Sequence, residues 1–116
     1  MILAIVGTRD GIDYEIFSSH LAHYINKWSR PDLIISTNDK GIAALAKEYA
    51  EKNNIQYGQY VSTEFFGQID NESHLRAIAN DCTHVIAFPG KKSRNVWKVI
   101  KRVTKLHKRC KIIQVD

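Results

Sequence analysis

Short apolar runs alternate along this chain with stretches whose apolar positions recur every three or four residues. Ile2 to Val6 is an unbroken apolar run that stops at Gly7, the pattern of a strand buried on both faces. From about Asp13, the spacing of Phe17, Leu21, Tyr24, Ile25 and Trp28 predicts a helix. Arg30-Pro31 ends it, because the residue before proline is pushed out of the α region. Leu33 to Ser36 reads as a second strand, and Ile42, Leu45, Ala46 and Tyr49 mark a second helix that Asn53 and Asn54 break. Ile55 to Val61 is a third strand, expected at an edge because its pattern is more polar. Residues 62–70 read as a loop, followed by a short helix from about Asn71. Val85 to Phe88 is a fourth strand, closed by Pro89-Gly90. A last helix runs from about Arg94 to Leu106 with Val96, Val99, Ile100 and Val103 inward, and Ile112 to Val115 forms a fifth strand.

This β-α alternation predicts a single α/β domain over residues 1–116, Rossmann-like, in three layers. It has a five-stranded, mainly parallel sheet with helices on both faces and right-handed crossovers. Ligands of such sheets bind outside the carboxyl ends of the strands, where the strand order reverses. That directs attention to the loops at residues 7–12, 36–41 and 88–95.

Composition leaves this picture in place: 44% of 116 residues are apolar and 25% charged, ordinary for a globular chain. No run reaches the roughly 18 to 20 apolar residues of a membrane span, so no membrane partner is expected. The N-terminal MILAIVGTRD has no basic leader and is expected to be a strand, not a signal peptide. Cys82 and Cys110 lack metal or disulfide spacing and fit a reducing cytoplasm. Charge does change the picture. Residues 1–88 hold 7 Lys/Arg against 11 Asp/Glu, a net of −4, whereas residues 89–116 hold 10 against 1, a net of +9. A basic block on a mildly acidic body points to an anionic partner.

The three loops carry matching chemistry. Gly7-Thr8-Arg9-Asp10-Gly11 offers two glycines for a tight turn, a hydroxyl, and a guanidinium suited to phosphate; Arg9 could equally pair with Asp10 or Asp13. Ser36-Thr37-Asn38-Asp39-Lys40-Gly41 precedes a helix, where such side chains either cap or meet an anion. Capping does not account for Lys40. In Gly90-Lys91-Lys92-Ser93-Arg94-Asn95, cations crowd a helix N-terminus, the reverse of the usual preference for acids there.

Read together, Gly7-Thr8-Arg9-Asp10, the Ser36 to Gly41-Ile42-Ala43 segment and Gly90 to Asn95 resemble the SLOG superfamily. The likeness is to its YspA-like branch, related to the lonely-guy enzymes and to DprA proteins. Members of that branch tend to show G-S-R-D, then S-G-G-x-x-G-A-D, then G-x-S-R-G-T before the last helix. Gly7, Thr8 and Arg9 match the first motif, Ser36 and Gly41 the second, and Gly90, Ser93 and Arg94 the third. The resemblance covers nearly the whole chain in element order. It implies binding of nucleotides or nucleotide-derived ligands such as ADP-ribose-like molecules, and in some members cleavage of N-glycosidic bonds. The chain departs from the pattern in three places. Thr37-Asn38 replaces paired glycines, and Asn95-Val96 replaces Gly-Thr. Val96-Trp97-Lys98-Val99 stands where the hydrolytic members carry a glutamate. Glycosidic hydrolysis needs a carboxylate, and no acid follows before Asp116.

The expectation is therefore a protein that senses or sequesters a phosphorylated nucleotide or nucleotide-derived ligand, without catalysis, cofactor or metal. Its expected contacts are Gly7, Thr8, Arg9, Ser36, Thr37, Asn38, Lys40, Gly41, Gly90, Lys92, Ser93, Arg94 and Asn95. One alternative is a nucleoside-phosphate or ADP-ribose N-glycosidase drawing an acid from Asp10, Asp13, Glu64, Asp70 or Glu72. The other is a DprA-like nucleic-acid-binding module using the basic stripe Lys98, Lys101, Arg102, Lys105, Lys108 and Arg109, above all Lys98, Lys101 and Lys105. Phe65 or Phe66 could stack on a base, although such pairs more often plug a core. His20 and His23 lack a third ligand and read as surface or packing residues. The resemblance also implies self-association into a homo-oligomer and a bacterial or phage setting.

Overall fold

A computed structural model describes residues 1–61, 63–65, 68–70 and 72–115, with the side chains of 63–65 and 68–70 excepted. In chain order the elements are β1 (Ile2–Gly7), α1 (Tyr14–Lys27), β2 (Leu33–Thr37), α2 (Ile42–Lys52), β3 (Gln56–Tyr60), β4 (Thr63–Phe65), β5 (Gln68–Asp70), α3 (Ser73–Asp81), β6 (His84–Phe88), α4 (Arg94–Lys105) and β7 (Arg109–Ile112). Five strands form one all-parallel sheet in the order β3-β2-β1-β6-β7. The domain is a Rossmann-like α/β fold, as the alternation of elements predicted.

Two cores explain why the central strands are continuously apolar. Successive strand residues point to opposite faces. Leu3, Ile5, Ile34, Ile86 and Phe88 pack with Phe17 and Leu21 of α1 and Ile42 and Ala46 of α2. Ala4, Val6, Ile35, Val85 and Ala87 pack with Leu75 and Ile78 of α3 and Val96, Val99, Ile100 and Val103 of α4. Each strand thus feeds both layers, and burial at roughly 25 cal/mol per Å² of apolar surface drives both.

Local signals set the element ends. The Asp13 carboxylate accepts the Glu15 N–H at 2.8 Å and caps α1. At the far end of α4, His107 adopts a left-handed φ of 56°. The Lys108 N–H then donates to the Val103 carbonyl and turns the chain into β7.

Three expectations are revised. Residues 62–70 were expected as a loop, but β4 and β5 pair antiparallel, with Glu64 opposite Ile69. Strands of three residues carry too little alternation to register in sequence. The last strand begins at Arg109, three residues before the expected Ile112, because exposed edge residues need no apolar pattern. Ile113 and Val115 still donate to the carbonyls of Ala87 and Pro89, prolonging the same alignment. The basic stripe is also shorter than expected. Lys108 and Arg109 lie beyond α4: the Lys108 ammonium donates to the Ala79 and Asn80 carbonyls, each at 2.7 Å, and the Arg109 guanidinium sits 4.3 Å from the Trp28 ring. The edge position expected of β3 holds. Among the described residues, no helix is long and apolar enough to cross a membrane.

Candidate functional site

The chain leaves β1 toward α1 on one face of the sheet and leaves β6 toward α4 on the other. Adjacent parallel strands whose exits diverge open a crevice at their carboxyl ends. Here it is a cleft of about 770 Å³, walled by residues 7–10 at the end of β1 and 90–96 leading from β6 into the first turn of α4, and lined also by Asp39 and Val115.

Backbone contacts hold the first wall. The Thr8 N–H donates to the Phe88 carbonyl at 3.0 Å, and the Thr8 carbonyl accepts the Ile42 N–H at 3.1 Å. This second bond ties the loop to the start of α2 and needs Gly41 beside it. Gly41 has φ +70°, and a Cβ there would collide with the Thr8 and Arg9 backbone. The Arg9 side chain, 70% exposed, reaches Asp39 with its Nη2 3.3 Å from Oδ1. That pairing replaces the expected ones with Asp10 or Asp13. The Thr37 hydroxyl donates to the other Asp39 oxygen at 2.8 Å, fixing a carboxylate that is 30% exposed.

The second wall is built around Ser93. It occupies the N-cap position of α4, yet its hydroxyl makes no cap bond and accepts the Gly90 N–H at 2.7 Å instead. The first turn of α4 contains no acid, so its unpaired N–H groups and positive dipole end face the cleft without a side-chain counterweight. Lys91, Lys92 and Arg94 surround this end and are exposed. Among the described residues, the cleft therefore holds four cationic side chains, these three and Arg9, against the two carboxylates Asp10 and Asp39.

Of the expected contacts, the structure gathers Gly7, Thr8, Arg9, Gly90, Lys92, Ser93, Arg94 and Asn95 around the cleft. The second loop contributes differently. Ser36 is fully buried and donates to the Ile5 carbonyl. Thr37 is buried beneath Asp39. Asn38 and Lys40 are exposed and do not line the cleft, and Gly41 serves the packing of the first loop. Asp39 itself, passed over in the sequence, lines the cleft. Its signal was a threonine two residues upstream, the spacing of a hydroxyl-capped turn. The side chains of Glu64, Phe65 and Asp70, and Phe66 and Asn71 altogether, lie outside the described residues.

Beyond the cleft, α4 presents Lys98, Lys101, Arg102 and Lys105 to a groove shared with α3, where the Glu72 carboxylate lies 2.6 Å from the Lys98 ammonium. Trp97, 38% exposed, stands between this groove and the cleft, beside Lys98 and Lys101. No protein-family model, curated protein or solved structure matches the chain.

Proposed function

We propose that the chain binds a phosphorylated nucleotide or nucleotide-derived ligand in the cleft between β1 and β6, as a sensing or sequestering protein. One observation carries this reading: Lys91, Lys92 and Arg94 ring an α4 N-terminus that has neither a side-chain cap nor an acid. Their like charges repel one another, and an anion among them relieves that repulsion. With a phosphate there, backbone N–H groups and guanidinium donate charge-assisted bonds of roughly 1.5–3 kcal/mol each. The SLOG-like motifs, whose first and third members line the cleft, support the same reading. The α4 helix offers no carboxylate to the cleft, which supports holding a ligand over cutting it.

Calorimetric titration with inorganic pyrophosphate, AMP and ADP-ribose tests this. Binding is expected for at least one, with Arg94→Ala or Arg9→Ala weakening it tenfold or more. Release of free base from a nucleoside monophosphate would replace the proposal with hydrolysis, for which Asp39 and Asp10 are carboxylates in the cleft among the described residues.

Trp97 favours a second reading. An exposed indole beside Lys98 and Lys101 is a stacking platform next to phosphate contacts, as single-stranded nucleic acid requires. Oligonucleotide binding with a steep salt dependence, reduced in Trp97→Ala while mononucleotides bind weakly or not at all, would establish it.

A further inference from the structure

The loop after β2 meets the loop after β1 twice, once through backbone and once through a side chain. Gly41 lies against the Thr8 and Arg9 backbone, and the next residue, Ile42, donates its N–H to the Thr8 carbonyl at 3.1 Å. Thr8 is also tied to the other wall, where its N–H reaches the Phe88 carbonyl at 3.0 Å. The backbone that carries Arg9 is therefore fixed. Its side chain is not fixed by packing, since it is 70% exposed. An arginine in solvent carries a large rotamer entropy, which any single bonding geometry must overcome.

Asp39 supplies the second anchor. Thr37 is buried, donates to Asp39 Oδ2 at 2.8 Å and accepts the Asp39 N–H at 3.3 Å, so the carboxylate is held on its own turn. The other oxygen, Oδ1, faces Arg9 Nη2 at 3.3 Å. Exposed ion pairs are weak because two mobile side chains must be ordered together. Here one of the two is already held, and only Arg9 has to be ordered. A guanidinium is a rigid fork of several N–H donors, so a contact through one nitrogen restricts its direction and leaves donors for a phosphate. Against this, a carboxylate in the cleft repels an anion. The two effects of Asp39 on an anionic ligand have opposite signs, and only one of them acts through Arg9.

From this we infer that Asp39 is a positioning residue, which acts on the ligand through Arg9 by holding the guanidinium at the cleft before a phosphate arrives. This role rests on the phosphate reading above. It also gives the loop after β2 its place in that reading: Thr37, Asp39 and Gly41 support the first loop, and the ligand is met by the first and third.

A double-mutant cycle tests it, with wild type, Arg9→Ala, Asp39→Asn and the double variant titrated by calorimetry with pyrophosphate or AMP, whichever wild type binds more tightly. Without Arg9, Asp39→Asn only removes a repelling carboxylate and should raise affinity. With Arg9 present the same substitution also releases the guanidinium, so its effect should be about fivefold less favourable. In the ligand-free protein, NMR relaxation at the Arg9 Nε–H should show order that falls in both Asp39→Asn and Thr37→Val. A merely structural Asp39 would act alike in the two backgrounds, and effects that agree within about twofold overturn the inference. So does a gain from Asp39→Asn that is larger with Arg9 present, which would make Asp39 a competitor for Arg9, or an Arg9 whose order neither substitution changes. Each of these leaves the phosphate reading standing. If wild type binds neither probe, the phosphate reading itself fails and the inference falls with it, however ordered Arg9 is.

Discussion

The Ser93 hydroxyl accepts the Gly90 N–H at 2.7 Å, and by doing so it leaves α4 uncapped at the edge of the cleft. One serine thus organises a loop and keeps a helix end available. Gly90 is buried, so Ser93→Ala strands its N–H. The expected cost is about 1–3 kcal/mol in urea unfolding. Ser93→Asp retains an acceptor but places negative charge at the helix end. Stability should change by less than about 1 kcal/mol, while pyrophosphate affinity falls at least tenfold in calorimetry.

Gly41 is where the two loops meet. Alanine there meets both a φ of +70° and the Thr8 and Arg9 backbone. Gly41→Ala should destabilise the fold by about 2 kcal/mol or more, read as a lowered denaturant midpoint. The pyrophosphate affinity of the fraction that stays folded should also fall, because Arg9 is displaced.

His107 holds the left-handed position after α4 without being glycine. His107→Gly removes that strain and should raise stability by up to about 1 kcal/mol. A lowered thermal midpoint would contradict this account of the α4 terminus.

Burial, helped by the N-terminal ammonium and Arg109, holds the His84 imidazole below its usual value of 6.5. The unfolded chain then binds the proton more tightly. The stabilisation is complete above 6.5 and is lost as pH falls through the lower folded value. Urea midpoints should therefore drop between pH 7.5 and 5.5, and His84→Gln should flatten that slope. Asp32, held below 3.8 by its hydrogen bond to the N-terminal ammonium, loses its contribution only in more acidic solution.

Lys108 donates to the Ala79 and Asn80 carbonyls at the end of α3. Lys108→Met keeps the aliphatic stem and removes both bonds. About 1 kcal/mol of stability should go with them, after allowance for solvent, while phosphate affinity stays unchanged. A lysine that looked like part of an anion-binding stripe would then prove to be a cap.

The order of elements was legible because burial on both faces leaves a simple signature. Ile2–Val6 and Val85–Phe88 are unbroken apolar runs, and Phe17, Leu21 and Tyr24 recur at helical spacing. The loops were legible too, since Gly7 ends a strand, Arg9 and Gly90 lie just beyond one and Arg94 opens the helix that follows, and the fold places strand ends together. Roles within the loops were not. Ser36, Thr37 and Gly41 resemble ligand contacts in sequence, yet each spends its chemistry inside the protein: on the Ile5 carbonyl, on Asp39, and on the approach of the Thr8 backbone.

The sequence by itself determined the parallel α/β architecture, the cationic third loop and the concentration of positive charge near the C-terminus. Periodicity and composition are properties of neighbours along the chain, and they survive without coordinates. Only the tertiary structure decided that Arg9 pairs with Asp39 from 30 positions away, that Lys108 leaves the basic helix to cap α3, and that Ser93 serves a loop instead of its helix. A polar side chain commits to whichever partner lies within about 3 Å. That distance is set by how strands and helices pack, not by the residues on either side.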